Sequence, residues 1–420
     1  MKRGRILCVT SNFPRWAGDS TTPFVLNLAV DLQELGWQVT VLVPHAQGTA
    51  LREILEGVKV ERFRYLWPSK LETVCYQGGA LINLRKHRAD YVKLPALVAS
   101  EFCSIVRRLI GKEYDLLHSH WILPQGFTGT LASRLFGVPH VTTVHGGDVF
   151  GLQGAVLTRF KRFTLRHADA VTINSSVTER AVFDIVPDLK ELHQIPMGVS
   201  TSQVNAALSS AELQSRYRRG NGPLLVFAGR IVEEKGVEDL IRAVGILVPR
   251  FPDISALIVG EGQDRPAFEH LAGKLGLSDH VVFTGWVEPK DVFAYLAAGD
   301  IFIGPSRKAS NGWIEAQGLA LIEAMVAKTP VIATRSGGII DAVRHEETGI
   351  LVNERAPDEI AQAVERLVKK PRLVNYLREQ AYKLALNEFS RASSAQAFSD
   401  LFSRMIQAKR LQCPDNRVGM

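Results

Sequence analysis

Short apolar runs alternate with amphipathic stretches along the whole chain. In the first half, apolar and β-branched runs predict strands at 5–10, 39–44, 58–65, 115–118, 140–145, 170–174 and 192–196. Apolar positions recur at helical spacing between these runs, at 22–35, 89–110, 126–135 and 157–166. Continuously apolar strands that alternate with helices are typical of a parallel sheet covered on both faces. We therefore predict an α/β fold.

The second half repeats this pattern more regularly. Strands are predicted at 224–228, 256–259, 281–284, 301–304, 331–333 and 350–352, each followed by a helical pattern. The polar segment 200–223 between the halves predicts a domain boundary. We predict two doubly wound, Rossmann-like domains that face each other across a cleft. The domains are 1–198 and 199–386, with a helix at 387–409 that joins the first domain and a disordered tail at 410–420. Ligands are expected at the carboxyl ends of the strands.

Composition limits the class of protein. With 420 residues, 46% hydrophobic and 22% charged, the chain is typical of a soluble globular protein with two domains. The four cysteines have no pairing pattern, and no run approaches the roughly 18–20 apolar residues of a membrane span. We therefore expect a cytoplasmic protein. The net charge of +7 suggests a polyanionic partner, such as a nucleotide, an acidic lipid headgroup or a nucleic acid.

The segment 312–330 carries the strongest chemical signal, because two carboxylates flank a glycine that opens a helix. Glu315 precedes this helix and Glu323 lies on it, with Gln317, Gly318 and Leu319 at its start. Free backbone amides at a helix start suit a phosphate. The carboxylates would instead accept hydrogen bonds from hydroxyls, such as those of a sugar ring and a ribose. The alternative is two solvated glutamates on an ordinary amphipathic helix.

Three further strand ends carry residues suited to a nucleotide. Gly229 permits a tight turn, and Arg230 and Lys235 after it form a candidate diphosphate clamp. Taken alone, both cations could equally be solvated at the surface. Gly260 would allow the backbone to approach a ligand closely. The segment ending at Val287 would offer backbone groups and an apolar wall to a base.

The second half resembles the retaining glycosyltransferases of family 4, which have the GT-B fold. The shared pattern, in order from 223 to 353, is Gly-Arg-x4-Lys-Gly, Val-Gly-x-Gly, Phe-x-Gly-x-Val, Pro-Ser, and Glu-x7-Glu-Ala-Met-x-Ala-x-x-Pro-Val-x-Ala-Thr. The resemblance continues less densely in the first half, through Phe13-Pro14, Gly36-x-x-Val39 and His145-Gly-Gly-Asp148.

The resemblance implies a role for each matching residue. Arg230 and Lys235 would bind the donor diphosphate, Glu315 the transferred sugar with help from backbone amides at 317–319, and Glu323 the ribose. The family is generally metal-independent, so neither a metal nor another cofactor is expected, and the sequence contains no Asp-x-Asp. The chain departs from the family in its N-terminal loop, where Gly18 is the single glycine and the best candidate for a diphosphate contact.

Histidines end two strands of the first half. By the resemblance, His145 would lie beside the sugar and the reacting centre, whereas a lone histidine there would more often be a packed core residue. Asp148 could orient that imidazole, bind an acceptor hydroxyl or cap the next segment. His118 and His120 are candidates for the acceptor side. A metal site is disfavoured, because no third ligand follows at a useful spacing.

The segment 159–166 predicts a basic amphipathic helix in the acceptor-side domain. Its cations either form a solvated surface or contact an anionic membrane that carries a lipid-linked acceptor. Nucleic acid is disfavoured because no nucleic-acid-binding module is present.

We therefore predict a retaining glycosyltransferase that moves a sugar from a UDP- or GDP-sugar to a glycan, glycolipid or lipid-linked acceptor, in polysaccharide or glycoconjugate biosynthesis. Alternatives are a nucleotide-sugar epimerase, a sugar phosphorylase and a non-catalytic nucleotide-sugar-binding subunit. A dinucleotide-dependent oxidoreductase is disfavoured, because Gly260-Glu-Gly262 lacks a third glycine and Asp264 comes too early to bind a ribose.

Overall fold

The computed structural model describes residues 3–19, 21–76, 79–201, 209–310 and 312–412. The chain divides into two compact units: Met1–Gly198 with Arg391–Met420, and Val199–Ser390. The predicted boundary after residue 198 falls at the same point. Within the described ranges, no helix has both the length and the apolar character needed to cross a bilayer.

The first unit contains an eight-stranded sheet of order β3-β4-β2-β1-β5-β6-β7-β8. Its strands are β1 Gly4–Val9, β2 Trp37–Pro44, β3 Arg52–Leu55, β4 Val58–Phe63, β5 Leu116–His120, β6 His140–Val144, β7 Ala170–Ile173 and β8 Leu192–Gln194. All pairings are parallel except β3 with β4. The hairpin strand β3 was not predicted, since its exposed residues carry no apolar run.

Helices cover this sheet. They are α1 Pro23–Glu34, α2 Ala80–Lys86, α3 Leu94–Ile110, α4 Phe127–Phe136, α5 Gly147–Phe150, α6 Ala155–His167 and α7 Ser176–Ile185. The remaining helical turns of the unit are the 3-10 segments Ser69–Leu71 and Arg88–Lys93 and the π turn Ile122–Gly126.

The second unit contains a six-stranded, all-parallel sheet of order β11-β10-β9-β12-β13-β14. Its strands are β9 Leu224–Ala228, β10 Ser255–Val259, β11 Val281–Gly285, β12 Ile301–Gly304, β13 Val331–Thr334 and β14 Ile350–Val352. Its helices are α8 Ser210–Tyr217, α9 Val237–Leu247, α10 Arg265–Lys274, α11 Pro289–Ala298, α12 Leu319–Val326, α13 Ile339–Ala342, α14 Pro357–Lys369 and α15 Pro371–Glu388, with a 3-10 turn at Glu233–Lys235. Apolar clusters on both faces of the sheet form its core.

The last helix, α16 Arg391–Gln412, returns to the first unit. Phe398 and Phe402 on this helix are fully buried, and the Trp37 indole donates a hydrogen bond to Ser399 over 2.9 Å. Two details of the predicted bounds are wrong. Residues 387 and 388 belong to α15, and 410–412 continue α16, while 413–420 lie outside the described residues. The predicted linker 200–223 also contains α8.

The prediction of two doubly wound α/β domains is confirmed. In each sheet the strand order reverses at one point, between β1 and β5 in the first unit and between β9 and β12 in the second. Loops leave the carboxyl ends of the strands in opposite directions there, which opens a crevice for ligands.

Candidate functional site

The loop after β9 carries both predicted clamp cations. Arg230 follows Gly229 directly, is half exposed and lies 3.8 Å from the Glu234 carboxylate. Lys235 ends the 3-10 turn, and Gly236 after it has a φ of 66°. A Cβ atom on Gly236 would lie 1.9 Å from the carbonyl oxygen of Pro305, so only glycine permits this approach. The loop is thereby held against the end of β12.

Glu315 meets Lys235 at this edge of the sheet. Its side chain is 11% exposed, and one carboxylate oxygen is paired with the Lys235 ammonium. The other oxygen accepts the amide of Gly318 over 3.2 Å. Burial by itself raises the pKa of Glu315, but the Lys235 charge and the amides of Gln317 and Gly318 outweigh it and lower that pKa. Glu315 is therefore an anion at neutral pH, and it engages the amides that were predicted to face the donor.

A glycine pair after β13 supports Glu315 from behind. The amide of Gly338 donates to the Glu315 carbonyl over 2.9 Å. A Cβ atom on Gly337 would lie 2.0 Å from that same carbonyl oxygen. This support was not predicted, although two consecutive glycines after a predicted strand were a usable signal.

Arg307 is a second residue that the sequence analysis missed. It is 7% exposed, and its guanidinium donates to the Glu233 carbonyl over 3.2 Å and to the Glu238 carboxylate over 3.1 Å. These contacts join the loop after β12 to the 3-10 turn Glu233–Lys235 and to the first turn of α9. Arg307 thereby holds the turn that carries Lys235, and its sequence context, Pro-Ser-Arg-Lys, gave little reason to select it.

Glu323 lies on α12, which begins at Leu319 after the left-handed Gly318, whose φ is 80°. Its side chain is half buried, and burial raises its pKa to about 7. This carboxyl group therefore changes charge near physiological pH, unlike that of Glu315. The structure thus separates the electrostatic behaviour of the two glutamates.

The ends of β10 and β11 adjoin the same edge. A Cβ atom on Gly260 would lie 2.0 Å from the Gly229 carbonyl oxygen, so this glycine permits a close approach of backbone to backbone. Its predicted role was close approach to a ligand. Val287 is half buried and packs on the core of the unit.

In the first unit, His145 follows β6 and is half buried among aromatic rings. Its ring centroid lies 4.9 Å from that of Trp121, 5.2 Å from that of Phe24 and 5.1 Å from that of His120. His145 Nε2 is hydrogen-bonded to His120 Nδ1 over 2.8 Å. Burial lowers the pKa of His145 to about 3, so its imidazole is neutral at physiological pH.

The two other candidate histidines are buried. His118 is 1% exposed, bonds Thr143 Oγ1 over 2.7 Å and packs on Phe398 and Phe402 of α16. It is a core residue, and burial excludes it from direct contact with an acceptor. His120 is fully buried, so burial also excludes it from direct contact with an acceptor, and its ring is hydrogen-bonded to that of His145.

A third potential metal ligand, absent from the local sequence around His118 and His120, lies beside them in the fold. Cys8 lies beside His118 in the β1–β5 pairing, and the ligand atoms of Cys8, His118 and His120 lie within 4.8 Å of one another. All three are buried, and burial raises the pKa of the Cys8 thiol to about 12, which keeps it protonated. Spacing along the chain was therefore the wrong test for this cluster.

Asp148 is a buried residue that binds backbone amides. Its carboxylate oxygens accept the amide of Ile122 over 2.8 Å and that of His145 over 3.2 Å. It is 2% exposed, and burial raises its pKa despite these hydrogen bonds. The helix α5, which contains Asp148, has no side-chain cap, so the predicted capping of the next segment is not observed. Asp148 instead binds the backbone amide of His145 and not its imidazole.

Gly18 lies in an exposed turn with a φ of 83°, and a Cβ atom there would have no neighbour within 4 Å. The positive φ explains why a glycine occupies this position. The turn is closed by Arg15 and Asp19, which pair over 2.8 Å.

The basic helix α6 is less uniformly exposed than its sequence indicates. Lys161 is 2% exposed, and its ammonium donates to the Leu152 carbonyl over 2.5 Å. Burial lowers its pKa. Lys161 is therefore an internal anchor and not part of a membrane-facing surface, whereas Arg159, Arg162 and Arg166 are exposed.

The chain matches two family models of known glycosyltransferases. The family described as "Glycosyl transferases group 1" matches residues 210–384, and that described as "Glycosyl transferase 4-like domain" matches residues 21–198. A GDP-mannose-dependent alpha-(1-6)-phosphatidylinositol monomannoside mannosyltransferase from Mycobacterium tuberculosis is 34% identical over 279 residues, which cover 64% of this chain and 71% of that protein. The chain belongs to glycosyltransferase family 4.

Other family 4 relatives differ in their named substrates. A 2-deoxystreptamine glucosyltransferase from Streptomyces kanamyceticus is 31% identical, over 61% of this chain and 69% of that protein. Two solved structures share the fold at lower identity. Sucrose-phosphate synthase from Thermosynechococcus elongatus has a TM-score of 0.77 and 21% identity, and covers 96% of this chain and 100% of its own. Anabaena HepE in complex with UDP-glucose has a TM-score of 0.72 and 19% identity, with the same coverage. The fold of the chain is therefore GT-B, and the protein is a glycosyltransferase.

Proposed function

We propose that this glycosyltransferase moves a sugar, with retention of configuration, from a nucleotide-sugar donor to a glycan, glycolipid or lipid-linked acceptor. The observation that carries the proposal is the buried Lys235–Glu315 pair at the carboxyl edge of β9 and β12. The pair supplies a cation for a diphosphate and an anion for sugar hydroxyls at the point where doubly wound sheets bind ligands. We place the reaction in cytoplasmic cell-surface polysaccharide or glycoconjugate biosynthesis, at the inner face of a membrane.

Each charged group receives one task. Arg230 and Lys235 bind the diphosphate and stabilise the charge that builds on it as the glycosidic bond breaks. Glu315 accepts hydrogen bonds from the transferred sugar, and Glu323 accepts them from the ribose diol. Because two protein cations serve the diphosphate, we propose that transfer needs no metal ion. Addition of EDTA is then expected to leave the rate unchanged.

The chemical step follows from these charges and from the family. The acceptor hydroxyl oxygen bonds to the anomeric carbon on the face from which the nucleoside diphosphate departs. The bond from the anomeric carbon to the phosphate oxygen breaks, and its electron pair stays on that oxygen. The acceptor proton passes to the same oxygen, so no enzyme carboxylate forms a covalent intermediate. We assign the neutral imidazole of His145 a contact with the transferred sugar.

The donor is the first quantity to measure. A panel of nucleotide sugars, headed by GDP-mannose because of the mannosyltransferase relative and followed by UDP-glucose, can be screened by ligand-detected NMR. Nucleotide release that depends on an added acceptor supports a transferase. Turnover of donor without acceptor would instead favour an epimerase, a need for inorganic phosphate a phosphorylase, and binding without turnover a non-catalytic subunit. NMR of the anomeric carbon of the product tests retention.

Three alanine variants test the assigned residues. Lys235→Ala, Glu315→Ala and His145→Ala are each expected to reduce transfer at least a hundredfold while circular dichroism stays unchanged. The matched controls are Lys369→Ala and Glu365→Ala, which break an α14 surface pair of 2.5 Å, and His193→Ala in β8. Full activity in a folded Lys235→Ala variant would show that the clamp is assigned wrongly.

A further inference from the structure

A cavity of about 670 Å³ in the first unit has no part in the assignments above. Helices α2, α3, α4 and α6 surround it, and most of its lining is aliphatic or aromatic, including Val98, Phe127, Leu131 and Phe160. Asp148 is the one charged residue among the described lining residues, and its carboxylate is committed to backbone amides. The volume lies within the range of roughly 300–1,000 Å³ that is usual for small-molecule sites.

The cavity lies at the edge of the sheet where ligands are expected. Its lining includes Asn12 after β1, Trp121 after β5 and Asp148 after β6. It therefore lies at the carboxyl ends of the strands on either side of the switch point between β1 and β5. Trp121 also contacts the His145 ring, with the centroids 4.9 Å apart. One indole thus separates the cavity from the histidine assigned to the reaction.

Trp121 is held in a strained backbone conformation. Its φ of 73° lies in the left-handed region that a bulky residue rarely adopts. Two hydrogen bonds hold it there, from its amide to the Thr143 carbonyl over 2.8 Å and from the Gly126 amide to its own carbonyl over 2.9 Å. Strain of this kind persists where the surrounding structure fixes a residue, and it is frequent at ligand sites.

One residue of the lining also has an unpaired polar atom. Asn12 Oδ1 is buried and has no hydrogen-bond partner among the described residues. A buried amide oxygen without a donor is costly, and such atoms in native structures are commonly satisfied by a ligand or a water. Asn12 is one of the few polar residues in a mainly apolar lining, and a small rotation of its amide would place Oδ1 against a hydroxyl group of an occupant.

One wall of the cavity reaches the surface through α6. Leu157 and Phe160 line the cavity, and Phe160 is also 41% exposed. Val156 beside them is 69% exposed, and the exposed Arg159 lies on the same helix. Exposed apolar side chains next to a cation are typical of a helix at the surface of an anionic membrane.

We propose that this cavity binds the alkyl chain of a lipid-linked acceptor, which enters beside α6 and places its hydroxyl-bearing head near Asn12 and His145. The inference rests on the proposed transferase function and gives its acceptor a chemical class. The apolar lining favours a hydrocarbon over a glycan, because each sugar hydroxyl buried there would lack a partner. The protein would thus bind part of the lipid chain as well as the headgroup.

Binding can be tested without the donor. Nile red is the fluorescent probe, and n-alkyl β-glucosides from butyl to dodecyl, below their micelle concentrations, are the competitors. Each added methylene is expected to tighten displacement about fourfold until the cavity is full. Val98→Trp fills the cavity and is expected to weaken Nile red binding at least tenfold. Val92→Trp, at a side chain that is 84% exposed outside the cavity, is the matched control and keeps it.

Asn12→Leu separates a binding role from a structural one. Replacing the unpaired amide by an apolar group of similar size is expected to raise the thermal midpoint and to preserve Nile red binding. The variant should nevertheless raise KM for the lipid acceptor. An unchanged KM would show that Asn12 does not contact the acceptor.

A transfer assay then distinguishes the two hypotheses. Nucleotide release is measured with a chloroform–methanol extract of the source cells' membranes and, separately, with their water-soluble glycans. The inference predicts release with the lipid extract that Val98→Trp loses and Val92→Trp keeps, while slow donor hydrolysis without acceptor is the same in both. Release with soluble glycans alone, or equal rates in the two variants, overturns the inference and leaves the transferase intact.

No turnover of any donor would overturn the proposed function, while Nile red still reports on the cavity. If Val98→Trp is not folded, Ala99→Trp at an exposed position of the same wall replaces it.

Discussion

Removing the Lys235 ammonium is expected to leave Glu315 as an unpaired buried anion. Lys235→Met keeps most of the side-chain volume and removes the charge. Breaking one partner of a buried ion pair costs roughly 3–5 kcal/mol. Here the cost falls near the lower end, about 3 kcal/mol, because Glu315 keeps two amide donors and Lys235 is 21% exposed and partly screened.

The pH dependence of this loss follows from the sign of the shift. In the wild type the folded pKa of Glu315 lies below its ordinary value of 4.5. Its contribution to stability is therefore present above pH 4.5 and is lost as pH falls through the folded pKa. In Lys235→Met burial has less opposition, so the pKa rises above 4.5 and the ionised carboxylate destabilises the fold at pH 7. The gap between the two proteins in free energy of unfolding is expected to be widest near pH 7. It should narrow once the variant's carboxyl group is protonated and close only below the wild-type folded pKa, which is under 4.5.

Hydrogen-exchange mass spectrometry in a urea series, followed on β9 and β12 peptides, measures this gap within the second unit. The double variant Lys235→Met/Glu315→Gln is the decisive control. It leaves no buried charge and is expected to recover most of the lost stability, yet to remain inactive because both donor contacts are gone. A Lys235→Met protein equal in stability to wild type at pH 7 would refute the electrostatic reasoning. Recovery of transfer by the double variant would refute the assigned roles.

Three further outcomes are expected. Because burial raises the pKa of Glu323 to about 7, nucleotide affinity measured by calorimetry should rise between pH 6 and pH 8 as the carboxylate forms. Glu323→Gln should abolish this rise. A flat affinity profile in the wild type would contradict the ribose contact. Gly236→Ala should lower donor affinity at least tenfold because its Cβ collides with Pro305. Gly276→Ala, at a φ of 72° with no atom within 4 Å, should lose only the backbone conformational cost of about 1–2 kcal/mol in folding stability. Equal losses of donor affinity in the two variants would mean that the approach to Pro305 does not matter. Acid should weaken the first unit by about 1.4 kcal/mol per pH unit for each histidine whose pKa burial lowers, starting below pH 6.5, because the unfolded chain takes up protons that the folded unit refuses. The histidines concerned are His118, His120, His140 and His145. Between pH 7 and pH 5, the urea midpoints of β5 and β6 peptides should therefore fall more than those of β9 and β12 peptides. Equal decreases in the two units would contradict this prediction.

Much of the fold could be predicted from the sequence because the patterns that indicate strands and helices are local. Apolar runs such as 224–228 and 301–304 predict buried parallel strands, and their alternation with helices along the chain already indicates doubly wound sheets. The position of the candidate residues in the second unit was also predictable, since Gly229, Arg230, Lys235 and Glu315 all follow strands whose carboxyl ends share one edge. Elements without an apolar run, such as the exposed hairpin strand β3 and the helix α8 inside a polar segment, escaped detection.

Only the tertiary structure decided what surrounds each side chain. Glu315 and Glu323 are similar carboxylates eight positions apart, yet an ion pair lowers the pKa of one and burial raises that of the other. His118 became a core residue because α16, almost 300 positions later in the chain, packs Phe398 against it. Burial and charge pairing depend on contacts between distant segments, and no local pattern of residues encodes them.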